Sequence, residues 1–546
     1  MKLYEERRKK QSMDEITIRL NDFLFNSGIL GFIKVLENAE KEDLIEIKAN
    51  TISVNPKAIE NFASDYITTM LNTYEEDTKW HTIVSMKEWI RNLDIEDKEQ
   101  IKKLEEQYKF IKKGMESASY KAGYEILKKK QTEVDPYDFI EQLKKEKDIV
   151  KRKELIIKII EHIEKNKKVY CMKDIIYTKI NCFWSNVAFL NRNANKNDIE
   201  EEYQKVFVTP ALEYIKGSRK SDITCIECGN SISKKEASGM SWLNDVGVDI
   251  NRKRSGFWNF KEDTYICPIC NLIYSCVPLG FNMIGSNGIF VNNNESVEQL
   301  KSSNDVLKEE KSIEEESFEK VYGKILYNFI NRTDQTANEK IAKYEPRNIQ
   351  VIKRIGAKDN QKYEFNMIAK DKLEILKNTN KYFEKLLGTN LYQEVLTNLI
   401  EGRKQYNLIA RLLRENRNID AIKYILLIQS NSMGGNNVQD RKERIEEIIE
   451  EGEKIQKYFF HQKENENKLK SYAFKLQGAL KANNVEEFMK LFTLFYGSLG
   501  IPMPNCEAIK ILIEEPESFR LLGYSYIYGL EKRVDKKIEG GNENEE

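Results

Sequence analysis

The sequence predicts an α+β protein: a mixed N-terminal domain, an inserted four-cysteine module and a C-terminal antiparallel helical bundle. Three observations predict it. Strand-period and helix-period apolar patterns alternate in the first part of the chain. Two Cys-x2-Cys pairs then interrupt them, and from about Lys370 the apolar spacing is almost wholly helical. The 546 residues favour three or more domains. We divide them into a mixed domain over 1–220, the cysteine module over 221–296, a linker and β-hairpin over 297–369 that complete the N-terminal part, the bundle over 370–535, and a disordered acidic tail over 536–546.

Residues 16–36 read as one amphipathic segment through Ile18, Phe23, Leu24, Ile29, Phe32, Ile33 and Leu36, with Gly28 and Gly31 marking a bend or a close backbone approach. Leu44 to Lys48 and Thr51 to Val54 are β-prone and flank an Ala49-Asn50 turn. Asn55-Pro56 suits an N-cap and first-turn proline, ahead of Ile59, Phe62, Ala63, Tyr66, Ile67 and Met70 at helical spacing. Residues 96–168 are helical and rich in lysine and glutamate, with Leu155, Ile156, Ile159, Ile160 and Ile163 as one stripe. The neighbouring Lys151, Arg152 and Lys153 read as a solvated face in preference to phosphate contacts.

Residues 297–318 read as a linker or exposed loop before a helix near Val321 to Ile330. A second hairpin pairs Ile349, Val351 and Ile355 with Tyr363, Phe365 and Ile368 across Lys358-Asp359-Asn360. In the bundle, Leu469, Tyr472, Ala473, Leu476, Ala479 and Leu480 share one face. Asn484 caps the next helix, with Glu487 as in a capping box, and Gly500, Pro502 and Pro504 end it. Phe519, Leu522, Tyr526 and Leu530 mark the last helix, and the short connections favour antiparallel packing.

The 88 basic and 88 acidic residues cancel, so net charge exerts no pull toward nucleic acid, although one face can still be basic. No apolar run reaches 18 residues, which predicts no membrane span. The charged start lacks the apolar core of a secretory signal, so we expect a cytoplasmic protein. Thiols stay reduced there, and eight cysteines then point to metal or core roles in preference to disulfides. His81, His162 and His461 have no metal-spaced partners, and the chain has no GxxxxGK[ST], HExxH or GxSxG motif. We expect no catalytic residues and no enzyme activity.

Cys225 and Cys228, then 38 residues, then Cys267 and Cys270 make two Cys-x2-Cys pairs. Each pair can present two thiolates from one tight turn, the arrangement of a structural Zn²⁺ site with a closed tetrahedral shell. Gly229 and Pro268 suit such turns. Cys276 is a possible further ligand but reads better as a packed residue of a β-segment; Cys171, Cys182 and Cys506 have no partner spacing. The insert places Trp242, Phe257, Trp258 and Phe260 among Arg252, Lys253 and Arg254. Small metal modules need apolar cover, which favours the aromatics as a lid on the metal; base stacking is the alternative. For the basic trio, phosphate binding and plain solvation stay open.

Three ordered stretches carry a family resemblance. They are RLNDFLFNSGILGFIKVL (19–36); the cysteine region with WLNDVGVDINRKRSGFWNF and PLGFNMIGSNGIFVNNN; and YAFKLQGALKANNVEEFMKLFTLFYGSLGIPMP (472–504) with FRLLGYSYIYGL (519–530). The chain resembles the large subunit of the type I-B CRISPR interference complex, Cascade, in its zinc-containing Tneap-subtype family. The resemblance implies a non-catalytic subunit of a crRNA-bound complex. Such a subunit helps recognise the protospacer-adjacent motif, assists DNA duplex opening and recruits a separate helicase-nuclease in antiviral defence. Its partners would be crRNA, target DNA and the backbone, crRNA-processing and small subunits, with no membrane. Base pairing reads the target in such systems while protein reads a short duplex motif. Candidate nucleic-acid contacts are Arg252, Lys253 and Arg254 with Asn282, Ser286 and Asn287 in a glycine-rich loop, which a plain turn explains equally well. The resemblance also implies that the C-terminal part can be made separately from an internal start, for which Met367 is the candidate ahead of Met433. Alternatives are a zinc-ribbon nucleic-acid-binding protein outside CRISPR and a nuclease with an unfamiliar site.

Overall fold

The computed structural model describes residues 15–129, 135–217, 223–246, 248–305, 349–356, 361–387, 389–434, 438–461, 466–504, 509–510, 512 and 516–532. The chain is α+β and forms two compact units, Met1–Ser312 with Ile349–Asn366, and Ile313–Asn348 with Met367–Glu546. Among the described residues no helix is long and apolar enough to cross a membrane.

In the first unit, β1 (Ile16–Arg19), β2 (Ile45–Lys48) and β3 (Thr51–Val54) form an antiparallel sheet in the order β1-β3-β2. Lys48 pairs with Thr51, so Ala49-Asn50 is the two-residue turn the sequence indicates. Segment 16–36 divides where one amphipathic element was expected. Ile16 and Ile18 are buried opposite Val54 and Ile52 while Thr17 and Arg19 face solvent, a period of two that makes a strand. Asp22 then caps α1 (Phe23–Asn38), its Oδ1 accepting from the Phe25 amide at 2.8 Å. Asn55 caps a short 3-10 turn, Pro56–Ile59; α2 (Phe62–Tyr74) begins after Asn61, which has a left-handed backbone.

Helices Lys98–Met115, Ala118–Lys129, Pro136–Lys145 and Ile149–Lys165 follow. Ile156, Ile159, Ile160 and Ile163 are fully buried, as their spacing predicts. Arg152 leaves the solvated face: it grips Glu105 with two hydrogen bonds of 2.9 Å and also donates to the Leu143 and Glu146 carbonyls. The cysteine region contributes β4 (Ile223–Thr224), β5 (Ser231–Ile232), α3 (Pro268–Ser275) and α4 (Val277–Gly280).

Two expectations change after it. The glycine-rich loop is a hairpin, β6 (Asn282–Ile284) and β7 (Asn287–Asn292). It joins β8 (Ile349–Ile355) and β9 (Lys362–Ile368) in a four-stranded sheet ordered β6-β7-β8-β9. The linker expected from residue 297 begins instead as a helix, α5 (Val297–Asp305). Val297 and Leu300 are buried, and the buried Asn304 amide exchanges hydrogen bonds of 2.8 and 2.9 Å with the backbone of Val291. Polar composition hid an amide that pairs with strand backbone. The helix expected near Val321 to Ile330, the turn at residues 358–360 and the acidic tail lie outside the described residues.

The core of the first unit sits where α1 meets α3 and α4. A Cβ on Gly31 would lie 2.0 Å from the Cys276 carbonyl oxygen, and one on Gly28 would lie 2.5 Å from that of Ile273. Reciprocally, a Cβ on Gly280 would lie 1.9 Å from the Ser27 carbonyl oxygen. The helices are in backbone contact, so of the two roles open to these glycines, close approach holds.

The second unit is helical after β9. Lys370–Glu384, Leu391–Ile400, Tyr406–Glu415 and Ile419–Ser432 precede α6 (Val438–His461), α7 (Glu466–Lys481), α8 (Val485–Leu499) and α9 (Pro516–Glu531). Asn484 caps α8 by accepting from the Glu487 amide at 2.9 Å, and Gly500 ends it at φ +65°. Tyr472, Ala473, Leu476, Ala479 and Leu480 are buried as one face of α7. Gly452 on α6 and Gly529 on α9 form a second backbone crossing; a Cβ on Gly529 would lie 2.3 Å from the Ile449 carbonyl oxygen.

Candidate metal centre

The four cysteines come from two local structures. Strands β4 and β5 pair Ile223 with Ile232 and Thr224 with Ser231, and the Cys225–Gly229 knuckle lies between them. Gly229 makes the reversal at φ +69°, its amide donating to the Cys225 carbonyl at 2.9 Å. The second pair opens α3. Cys267 is its N-cap, its sulfur accepting from the Cys270 amide at 3.4 Å, and Pro268 takes the first turn, where its missing N–H costs nothing. The Cys267 amide donates to the Cys225 sulfur at 3.2 Å, which joins the halves.

All four sulfurs lie within 4.8 Å of one another. Cys228 Sγ and Cys267 Sγ are 3.7 Å apart, well beyond a disulfide bond and close to the edge of about 3.8 Å expected for a tetrahedron with metal–sulfur bonds of about 2.3 Å. Cys225, Cys267 and Cys270 are buried and Cys228 is exposed. Hydrogen bonding with Cys228 leads in pushing the Cys225 thiol down, while hydrogen bonding with Cys225 leads in pushing Cys270 up. Four thiols this close cannot all ionise without a cation between them, so the donor set fits a metal ion. A metal held by four protein sulfurs has a filled tetrahedral shell, which is the pattern of structural zinc sites in general. Cys276 stands apart from it: it is the buried C-cap residue of α3 beneath Gly31, helical where a β-segment was expected. Cys171 and Cys182 are buried elsewhere, and Cys506 is outside the described residues.

Glu227, inside the first pair, ties the centre to the rest of the unit. Its carboxylate accepts from the Tyr274 hydroxyl at 2.6 Å and from the Asn21 side-chain amide at 2.8 Å. Burial raises its pKa, and these two donors partly offset that. Asn21 leads to Asn26, which is fully buried. Asn26 accepts from the Asn21 backbone amide at 2.7 Å and donates to Asn21 O, Asn292 Oδ1 and Asn294 Oδ1 at 3.1, 2.9 and 3.3 Å. The knuckle, the start of α1 and the end of β7 thus share one hydrogen-bond network. Glu227→Ala should leave the metal bound yet accelerate amide hydrogen exchange at 21–26 and 292–294 by about tenfold, since a charge-assisted bond is worth roughly 1.5 kcal/mol. Unchanged exchange there would disprove the coupling.

The structure separates the six proposed nucleic-acid residues. In the insert, Arg252 is 89% exposed, with Asp249 at 3.8 Å. Lys253 is buried, pairs with Asp263 and lies 5.1 Å over the Trp258 ring; Arg254 pairs with Glu262. The other three belong to the β6–β7 hairpin. Asn282 starts β6, Gly285-Ser286 is the exposed turn, and Asn287 Oδ1 accepts from the Gly356 amide at 3.0 Å. Gly285 takes φ +59°, the positive φ a two-residue hairpin turn requires.

Two buried cations absent from the sequence-derived set hold that turn. Lys179 donates to the Gly285 carbonyl at 3.1 Å and to Asp77 at 2.7 Å. Arg354, 1% exposed, donates to the carbonyls of Ser286, Gly356 and Cys182 and to Gln361. Neither sits in a motif; their partners are up to 172 positions away, beyond the reach of local pattern.

The insert aromatics depart from the expected lid. Trp242 alone packs inward, edge-on to Trp184 at 5.7 Å and beside Phe207 at 5.4 Å. Phe257, Trp258 and Phe260 face solvent. Cys225, Cys267 and Cys270 are buried although these three rings turn outward.

The family described as CRISPR-associated protein (Cas_CXXC_CXXC) matches residues 218–282, the span of both cysteine pairs and the insert. The match supports a CRISPR-associated protein. No curated protein and no solved structure matches the chain.

Proposed function

We propose that this chain is the non-catalytic large subunit of a type I-B crRNA-guided Cascade complex. In that role it contributes to protospacer-adjacent-motif recognition, duplex opening and helicase-nuclease recruitment in the cytoplasm. The observation that carries the reading is the coincidence of the CRISPR-associated match over 218–282 with a closed four-sulfur cage. The tight packing of α1 against α3 and α4 adds support, because it unites two of the three stretches that carry the resemblance. Zinc is the ion we assign, acting as a brace.

Within this reading, the exposed Arg252 and the Gly285-Ser286 turn are the groups best placed to meet DNA. Lys179, Arg354 and Asn287 hold the turn, Asn282 begins its first strand, and Lys253 and Arg254 shape the insert through Asp263 and Glu262. Arg252→Ala should weaken target-duplex binding and lower the slope of log affinity against log salt by about 1, the change for one phosphate contact. An unchanged slope would remove Arg252 from the interface. The second unit resumes at Met367, which supports that residue over Met433 as an internal start for a separate small subunit.

The decisive experiment is co-expression with the proteins encoded beside this chain. The expected product is one complex holding this subunit, a backbone protein and crRNA. A chain that purifies free of both would end the assignment.

A further inference from the structure

Residues 255–260 form a short turn that nothing in the metal centre requires. Phe257 is 84% exposed, Phe260 71% and Trp258 47%. Asn259 and Phe260 both sit in the left-handed region, at φ +51° and +53°. That conformation crowds a Cβ and is rare for a bulky side chain. The aromatic rings gain little burial in return, so the strained backbone presents apolar surface outward.

The ring geometry narrows what can cover this surface. Base stacking needs a free ring face. Phe257 and Trp258 instead meet edge-to-face, with centroids 5.0 Å apart and planes at 84°, and the Lys253 ammonium lies over the Trp258 ring. The Phe257–Trp258 pair therefore offers successive bases no parallel platforms. An apolar pocket in another protein can take the same rings as anchors, and clustered aromatics flanked by arginine are what binding hot spots are made of. The exposed cations of the insert are Arg252, beside Asp249, and Lys261, next to Phe260, whereas Glu262 and Asp263 are engaged by Arg254 and Lys253.

We infer that the Phe257–Phe260 turn is a docking knob for a protein partner that offers an apolar pocket bordered by carboxylates. The inference deepens the proposed function by assigning the insert a protein contact, and its test does not depend on that function. The chain carrying Phe257→p-benzoylphenylalanine is irradiated in its own cells, and the adduct is mapped by mass spectrometry. The mapped partner is then purified and its affinity measured for the wild-type chain and for the Phe257→Ala, Trp258→Ala, Phe260→Ala triple variant. Melting temperature and metal content of the triple variant confirm that it folds.

The expected result is one protein, cross-linked at an apolar site beside acidic residues, whose affinity falls about 30-fold or more in the triple variant. A cross-link to nucleic acid, a cross-link to a second copy of this chain, no cross-link, or unchanged affinity would each overturn the inference. A partner encoded outside the neighbouring genes would sustain it while counting against the Cascade assignment.

Discussion

Cys267→Ser is expected to strip the metal from the protein and lower the melting temperature of the first unit by roughly 10 °C or more. Structural zinc contributes an apparent 10–16 kcal/mol or so in isolated modules, comparable with the whole stability of a domain. Cys267 is the most connected of the four ligands. Its sulfur lies 3.7 Å from that of Cys228 and caps α3, while its amide bonds the Cys225 sulfur. Serine keeps some capping ability but loses the soft donor. The loss should spread beyond the knuckle, because α3 carries the carbonyl against which Gly28 packs. Elemental analysis should find one zinc per wild-type chain and about none in the variant, and a strong chelator should reproduce the shift in wild type. A folded variant with full metal and unchanged melting would refute the four-sulfur centre.

Gly31→Ala is the second large effect. The added methyl would begin 2.0 Å from the Cys276 carbonyl oxygen, over 1 Å inside normal contact, with backbone and not a flexible side chain in the way. Either α1 or the α3–α4 junction must move, and the surrounding core is fully buried. We expect a loss of roughly 3 kcal/mol or more, at or beyond the usual upper range for overpacking. Gly478→Ala in α7 provides the contrast. Nothing lies within 4 Å of its Cβ position, so ordinary helix propensity should dominate and stabilise the second unit by about 0.5–1 kcal/mol. Urea unfolding of both variants checks the opposite signs. A cost below about 1 kcal/mol at Gly31 would mean that the helices are not in backbone contact.

Much of the fold was legible because it rests on local chemistry. The Ala49-Asn50 hairpin follows from alternating β-prone residues, the Ile156–Ile163 stripe from helical period, and the Asn484 cap from one side chain bonding an amide three residues on. Where a reading failed, a distant partner had overridden local pattern. Ile16 and Ile18 became a strand because β3 offers them a pairing edge. The polar stretch of α5 packs into the core, and near its end Asn304 meets the backbone of Val291.

The candidate site divides in the same way. By itself the sequence determined the four sulfur donors, since Cys-x2-Cys spacing places two thiolates on one tight turn whatever surrounds it. It also marked Gly28 and Gly31 as points of bending or close backbone approach, without naming the approaching chain. Tertiary structure alone decided that this chain is the helix launched from the second cysteine pair. It also decided that Glu227 links the knuckle to Asn26, that Lys179 and Arg354 hold the Gly285-Ser286 turn, and that Phe257, Trp258 and Phe260 face solvent. The reason is distance along the chain. Spacing of a few residues constrains geometry directly, whereas a hydrogen bond across 206 positions, such as that between Asn21 and Glu227, exists only once the whole unit has packed.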